Sequence, residues 1–170
     1  MYNNPKAQEL QERGRVEYEW GTLWPHYHKE KMSWATGFRT KGDVDILFLS
    51  GLTGRDPFED MMPQTAKEQQ AGEGKVVGGI REQTRQALWD IKNSLEMMGA
   101  SLKNIVFFRA FLVRREAFKD FRDERCHFFE EFEPDLLEHP RPGTLLEGIE
   151  LALPDMLVEI EALAAVPRRT

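Results

Sequence analysis

Between Gly79 and Met98 the apolar positions Ile80, Ala87, Leu88, Ile91, Leu95 and Met98 recur at spacings of three and four, and Gly99 stands where a helix C-terminus takes a glycine. The pattern predicts an amphipathic helix. Ile105 to Val113 reads Ile-Val-Phe-Phe-Arg-Ala-Phe-Leu-Val, apolar at both parities, and so predicts a strand covered on both faces. Phe118, Phe121, Arg125, Phe128 and Phe132 share one stripe of a second helix over Ala117 to Phe132, which Pro134, Pro140 and Pro142 bring to an end.

Upstream, the short mixed pattern of 33–40, the turn residues Lys41, Gly42 and Asp43, and the apolar run Val44 to Ser50 predict a hairpin. Residues 52–76 carry Gly54, Pro57, Pro63, Gly72 and Gly74 among polar residues and predict a long loop. Thr144 to Ile149 and Leu157 to Ala164 predict two further strands, joined across Pro154 and Asp155.

Hairpin, helix, strand, helix and two strands make an α+β fold whose two helices cover one face of a mixed sheet. Alternation along the last strand puts Val158, Ile160, Ala162 and Ala164 on one side and Leu157, Glu159, Glu161 and Leu163 on the other. With the helices on the first side, the second exposes those leucines and Phe107 or Phe108, too apolar a surface for a monomer. The expectation is a homo-oligomer with its sites between subunits.

Composition narrows the function. The 170 residues suit one domain, and 41% hydrophobic with 31% charged residues excludes a disordered or fibrous chain. Asp and Glu outnumber Lys and Arg by 29 to 23, a net charge of −6 that disfavours a phosphate backbone as partner. The single cysteine, Cys126, excludes an intrachain disulfide and multi-cysteine zinc patterns. With no long apolar run and no export signal, the expected location is the cytoplasm, without a membrane partner. Walker and dinucleotide glycine loops, the Gly-x-Ser-x-Gly elbow and His-Glu-x-x-His are all lacking.

Residues 1–32 read as an N-terminal extension that packs on the domain, 33–165 as the domain proper and 166–170 as a tail. The extension carries Trp20, Trp24, His26, Tyr27 and His28. Its aromatic residues either lid a neighbouring cleft or cover sheet edge. His26 and His28 share a face if extended, but no third ligand is in view, so no metal is assigned.

Phe48-Leu49-Ser50-Gly51 followed by Asp56-Pro57, the helix carrying Gln83-Thr84 and Asn93, the run Gly99 to Val113, and Leu157-Val-Glu-Ile-Glu-Ala-Leu-Ala164 together resemble the Rid (YjgF) superfamily over roughly 33–165. The resemblance implies a chorismate-mutase-like α+β protomer, a homotrimer, and small-molecule clefts at subunit boundaries, with no cofactor. It also implies hydrolysis of enamines and imines to carbonyl compounds and ammonia, by an arginine that binds substrate carboxylate and a glutamate beside the attacking water. The glutamate position is Glu159 here, whereas the arginine position is Thr144, and Arg141 lies too early in the chain to be the same residue. A threonine offers one neutral hydroxyl where arginine offers a charged fork, so the divergence implies a specialised substrate. Ser50 and Gly51 match the strand-end pair that helps to hold the ligand, and Arg122 falls where many members place an asparagine beside the cleft. Met32 and Leu146 replace a frequent tyrosine and a frequent cysteine.

Each candidate has a plainer reading. Glu159 is either a desolvated general base or a solvent-facing glutamate paired with an arginine. Glu161 faces the same way and reads as half of an ion pair at a subunit seam. Arg122 either binds a substrate anion or pairs with Asp123 or Glu124, and Thr144 either donates to a ligand or simply suits a strand. Cys126 reads as a packed thiol. The resulting expectation is a Rid-type hydrolytic deaminase with Glu159 as catalytic residue and Ser50, Gly51, Arg122 and Thr144 binding substrate. The alternative is a non-catalytic trimer that binds a small metabolite, and a nuclease stands third because no basic stripe is present.

Overall fold

Ten residues of β6 (Val158–Pro167) lie between β3 (Val44–Thr53) and β4 (Ile105–Leu112), and β5 (Gly143–Glu147) flanks β4, giving the sheet order β3-β6-β4-β5. The computed structural model describes residues 17–21, 37–55 and 76–168. β6 runs antiparallel to both neighbours, and β4 and β5 are parallel. The mixed α+β architecture follows the order expected from the sequence.

Val158, Ile160, Ala162 and Ala164 are buried, as the alternation along β6 predicts. They meet α1 (Ile80–Met97), whose Ala87, Leu88, Ile91 and Leu95 are buried, and α2 (Phe118–Phe132), which buries Phe121, Arg125, Phe128 and Phe129. Each large apolar side chain removed from water here contributes about 1.5–3 kcal/mol before the entropy of ordering is counted. Phe129 stacks on Phe108 of β4 at a centroid distance of 5.6 Å, and Phe128 meets Phe132 at 4.7 Å. Across the outer surface of the helix layer Arg81 pairs with Asp120 at 2.6 Å, and Arg85 pairs with Glu124 and Glu131.

The helix ends follow local rules. Glu82 reaches back to the N–H of Gly79 at 2.9 Å, and Gly99, at φ +74°, lets the N–H of Ala100 close on the Leu95 carbonyl at 2.8 Å.

Two expectations change. The segment before Val44 does form a strand, β2 (Gly37–Lys41), joined to β3 through Gly42 and Asp43, but it does not pair with β3 as a hairpin. It pairs instead with β1 (Glu17–Gly21) in a separate two-stranded sheet, in which Trp20 is opposite Phe38. β3 takes β6 as its partner because Leu47 and Leu49 then stand beside Ala164 and Ala162. A short helix, α3 (Asp135–Glu138), occupies the proline-rich segment after α2. Trp24, His26, Tyr27, His28 and Met32 lie outside the described residues.

β4 is covered on one face only. Phe108, Ala110 and Leu112 are buried, while Phe107 and Phe111 are half-buried and Arg109 is exposed on the other side.

Candidate functional site

The uncovered face of the sheet is organised in three cross-strand rows. Phe48, Leu163 and Phe107 form the first; Glu161, Arg109 and Thr144 the second; Thr53, Glu159, Phe111 and Leu146 the third. Phe48 is 77% exposed and Leu146 41%. Of the two phenylalanines that the strand pattern left open, Phe107 is the one on this face.

β3 bulges at this face. Leu49 pairs with Ala162 and Leu52 with Ile160, so Ser50 and Gly51 together stand opposite the single residue Glu161. A bulge of this kind inserts an unpaired residue and re-aims the neighbouring side chains. The Glu159 side chain fills the space over Gly51: a Cβ at Gly51 would lie 1.7 Å from Glu159 Oε1. Gly51 is therefore required by close approach, not by its backbone angles.

Burial beneath the bulge raises the Glu159 pKa above the ordinary glutamate value, and the neighbouring Glu161 carboxylate raises it further. Glu161 itself is bound by Arg109, whose Nη1 donates to Oε2 at 2.7 Å. The plainer reading for Glu161, an ion pair, is thus met within one chain. Among the described residues no arginine or lysine is paired with Glu159.

The site is locked from behind by Gln83. This buried side chain donates Nε2 to the carbonyls of Gly78 at 3.3 Å and Asp155 at 2.9 Å, and its Oε1 accepts the N–H of Leu157 at 2.8 Å. Gly54 packs directly on it, where a Cβ would come within 2.5 Å of the Gln83 Cα. The end of β3, the start of α1 and the approach to β6 are therefore pinned at one point, two residues before Glu159.

Ser50, Gly51, Glu159 and Thr144 share the open face, with Thr144 one row and two strands away from Glu159. Arg122 is placed elsewhere, on α2 in the helix layer, where Nη2 donates to Asp123 Oδ1 at 2.8 Å. The Lys119 ammonium and then the Arg122 guanidinium hold the Asp123 carboxyl down at about 2. Arg141 is buried; it donates to the carbonyls of Ile105 at 2.8 Å, Lys103 and His139, and meets Asp135 at 3.5 Å. It ties the loop before β5 to the start of β4. Cys126 is half-buried on α2.

Asp135, Glu138 and His139 bring three ligand-type atoms within 4.8 Å of one another. His139 Nδ1 lies 2.8 Å from Asp135, which Arg141 also engages, so this cluster is already organised as a loop clasp.

Two features of the site were not singled out from the sequence. Arg109 is the lone charged residue inside an otherwise apolar strand, which is the signal that marks it. The bulge at Ser50 and Gly51 has no signal beyond the glycine itself.

Residues 42–166 match the sequence model of the family described as Endoribonuclease L-PSP. No curated protein matches the chain. Among solved structures, the YjgF gene product of E. coli is 26% identical with a TM-score of 0.51, over 75% of this chain and 83% of that one. The Rid-family protein YyfB of Yersinia pestis, of unknown function, shares the fold at 22% identity and a TM-score of 0.55, over 78% of this chain and 86% of its own. E. coli TdcF, solved with bound serine, shares it at 21% identity and a TM-score of 0.53, over 73% and 81%. No helix among the described residues is long and apolar enough to cross a membrane. A four-stranded mixed sheet backed by two helices, with a carboxylate seated over a strand-end glycine, is thus joined by a match across most of the sequence: the chain belongs to the Endoribonuclease L-PSP family, the family of YjgF and Rid proteins.

Proposed function

We propose that this protein is a Rid-type hydrolytic deaminase acting on a small imine or enamine, in clefts formed where open sheet faces meet in a homotrimer. The observation that carries the reading is Glu159: a carboxylate with a burial-raised pKa, seated over the bulge at Gly51 on an otherwise apolar face. A raised pKa makes the carboxylate a stronger base than an ordinary glutamate.

In the proposed reaction Glu159 accepts a proton from a water as its oxygen bonds to the imine carbon. The proton passes to nitrogen to give a carbinolamine; Glu159 then carries the hydroxyl proton to the amine as the C–N bond breaks and the C=O bond forms, and the carbonyl compound and ammonia leave. One water is consumed and Glu159 returns to its ionised form. Ser50 and Gly51, whose pairing the bulge interrupts, present backbone groups to the substrate, and Thr144 presents a hydroxyl from β5. The threonine at this position underlies a specialised substrate preference.

The test is ammonia release from a panel of freshly generated imines and enamines, with Glu159→Gln run in parallel. Release that depends on Glu159 supports the deaminase; equal release by the variant overturns it. The second reading, a trimer that binds a metabolite without turning it over, draws on Thr144 standing at the arginine position. Its signature is a ligand that raises Tm and is recovered unchanged. Nuclease activity, which the family description names, is disfavoured by the net charge of −6 and by an open face whose three rows hold two carboxylates and one cation.

A further inference from the structure

Glu159 is the uncompensated charge of the open face. Its row holds Thr53 on β3, Phe111 on β4 and Leu146 on β5, none of which carries a charge. Arg109, the one cation in the three rows, stands in the neighbouring row and donates to Glu161 at 2.7 Å, so that pair is neutral as a unit. One carboxylate of the face is thereby matched and the other is not. Burial and the Glu161 carboxylate accordingly raise the Glu159 pKa, and no cation draws it down.

The same row supplies an apolar wall. Phe111 is in register with Glu159, and side chains paired in this way have Cβ atoms about 4.5–5.5 Å apart. Phe111 is half-buried, and Leu146, beyond it on β5, is 41% exposed. A carboxylate beside an aromatic ring attracts a flat cation, through the charge of the one and the quadrupole of the other. A carboxylate-bearing ligand meets the reverse: Glu159 repels it, and it reaches Arg109 only in competition with Glu161. We propose that this site selects a planar cation of the protonated C=N type, an iminium with an apolar or aromatic substituent and no acid group. Glu159 pairs with its N–H groups, and Phe111 and Leu146 take its apolar body.

The inference rests on the deaminase reading only for turnover; the selection of a cation is a statement about binding. An iminium adds one proton to the reaction given above. The water oxygen bonds to the iminium carbon while Glu159 takes one of its protons and returns it to nitrogen. The C–N bond then breaks as the hydroxyl proton passes through Glu159 to the amine, and the products are a carbonyl compound and ammonium. The extra proton leaves on nitrogen, and Glu159 ends ionised as before.

The probes are benzamidine, benzamide and benzoate, one flat ring with a cationic, a neutral or an anionic head, titrated calorimetrically into the full-length protein at neutral pH. The wild type binds benzamidine about tenfold or more tighter than benzamide, and benzoate weakest. Glu159→Gln lowers the preference for benzamidine over benzamide about tenfold, as loss of a charge-assisted bond requires. Phe111→Leu, which leaves Glu159 in place, lowers it about twofold to fivefold. Benzoate bound as tightly as benzamidine, or a preference that Glu159→Gln leaves unchanged, overturns the cation site. Phe111→Leu keeps the inference testable if Glu159→Gln fails to fold, and an unchanged preference there overturns it equally. Ammonia assays on 2-imino-4-phenylbutanoate and on the imine of 3-phenylpropanal, the same skeleton without its carboxylate, separate the two proposals. Glu159-dependent release that favours the imino carboxylate removes the cation site and keeps the deaminase. A Glu159-dependent preference for benzamidine, without ammonia release from either compound, keeps the cation site and removes the deaminase.

Discussion

Glu159 and Gly51 occupy one space: the carboxylate lies where a side chain at position 51 would begin, with Oε1 1.7 Å from the Cβ that glycine lacks. The bulge at Ser50 and Gly51 is what makes this fit possible, because it lifts the pair out of register with β6. Gly51→Ala should therefore act on the carboxylate and not on the fold. The conflicting atoms belong to a flexible side chain that can swing away, so Tm should change by only a few degrees while ammonia release falls at least tenfold. Gly54→Ala is the contrasting variant, since its Cβ would meet the Gln83 backbone at 2.5 Å and the fold itself must give. Thermal melts and assays on both variants check the contrast, and a Gly51→Ala protein of full activity would contradict it.

Burial beneath the bulge, with Glu161 adding to it, raises the Glu159 pKa, which gives both activity and stability a definite sign with pH. A base works in its ionised form, so turnover should rise with pH through an acid limb above the ordinary glutamate range of about 4.3. Glu159→Gln should lose that limb together with about 10²–10⁴ of the rate. For stability, the folded state holds this proton more tightly than the unfolded state. That contribution is complete below the unfolded pKa and is lost as pH rises through the folded one. At neutral pH the ionised carboxylate is thus a cost, and Glu159→Gln should melt slightly higher than wild type at pH 7–8, with the gap closing near pH 4. A variant that melts lower at pH 8 would contradict the stated burial.

How far the sequence exposed this arrangement varies from part to part. The two helices and the sides of β6 are legible because burial enforces a period: Ala87, Leu88 and Ile91 on one, Val158 and Ile160 on the other. The pairing of β2 was not legible, because a short strand of mixed polarity carries no information about which edge it joins, and its neighbour in sequence is the default. Glu159 was reached through the family resemblance, and the geometry adds Gly51 beneath it. Arg109 was hidden because a pattern that counts apolar positions treats one arginine among phenylalanines as noise. Only the register, which sets Arg109 beside Glu161 and Thr144, gives it a place. Gln83 is quoted in the family resemblance without a role, and gains one only when three long-range or loop hydrogen bonds are seen to converge on it.

Gln83 is a structural prediction in its own right. Gln83→Leu keeps the volume but removes the buried side chain to which the carbonyls of Gly78 and Asp155 and the N–H of Leu157 make part-buried hydrogen bonds. With unsatisfied buried groups costing about 1–3 kcal/mol each, partly relieved by water, the variant should lose roughly 3 kcal/mol, or about 10 °C in Tm. A denaturant melt measures this directly. A loss below about 1 kcal/mol would mean that the β5–β6 loop re-satisfies itself.

Arg122 gives a prediction by its placement. Its guanidinium is committed to Asp123 on the helix layer, and the open face that holds Glu159 is on the other side of the sheet. Arg122→Ala should leave KM for an anionic substrate within about twofold of wild type, the effect of an exposed ion pair being small. A rise of tenfold or more would put Arg122 in the cleft, through a neighbouring subunit, and would restore the substrate-binding role that its sequence position first implied.

The same uncovered face carries the last prediction, which concerns assembly. Phe48 is 77% exposed beside Leu163 and Phe107, with Ile46 at 42% and Leu146 at 41% on the same sheet. Apolar side chains grouped in this way across adjacent strands form a contiguous patch that water disfavours. The proposed homotrimer would cover this patch and enclose Glu159, giving the proposed cleft its walls. Phe48→Asp places a charge in the centre of that contact, where burying it unpaired is costly. The variant should sediment as a monomer while keeping the wild-type far-ultraviolet circular dichroism, because Phe48 takes no part in the helix-covered core. It should also lose ammonia release, since the cleft opens to water. A wild-type protein that sediments as a monomer at assay concentration would remove the intersubunit cleft and leave Glu159 on an open surface.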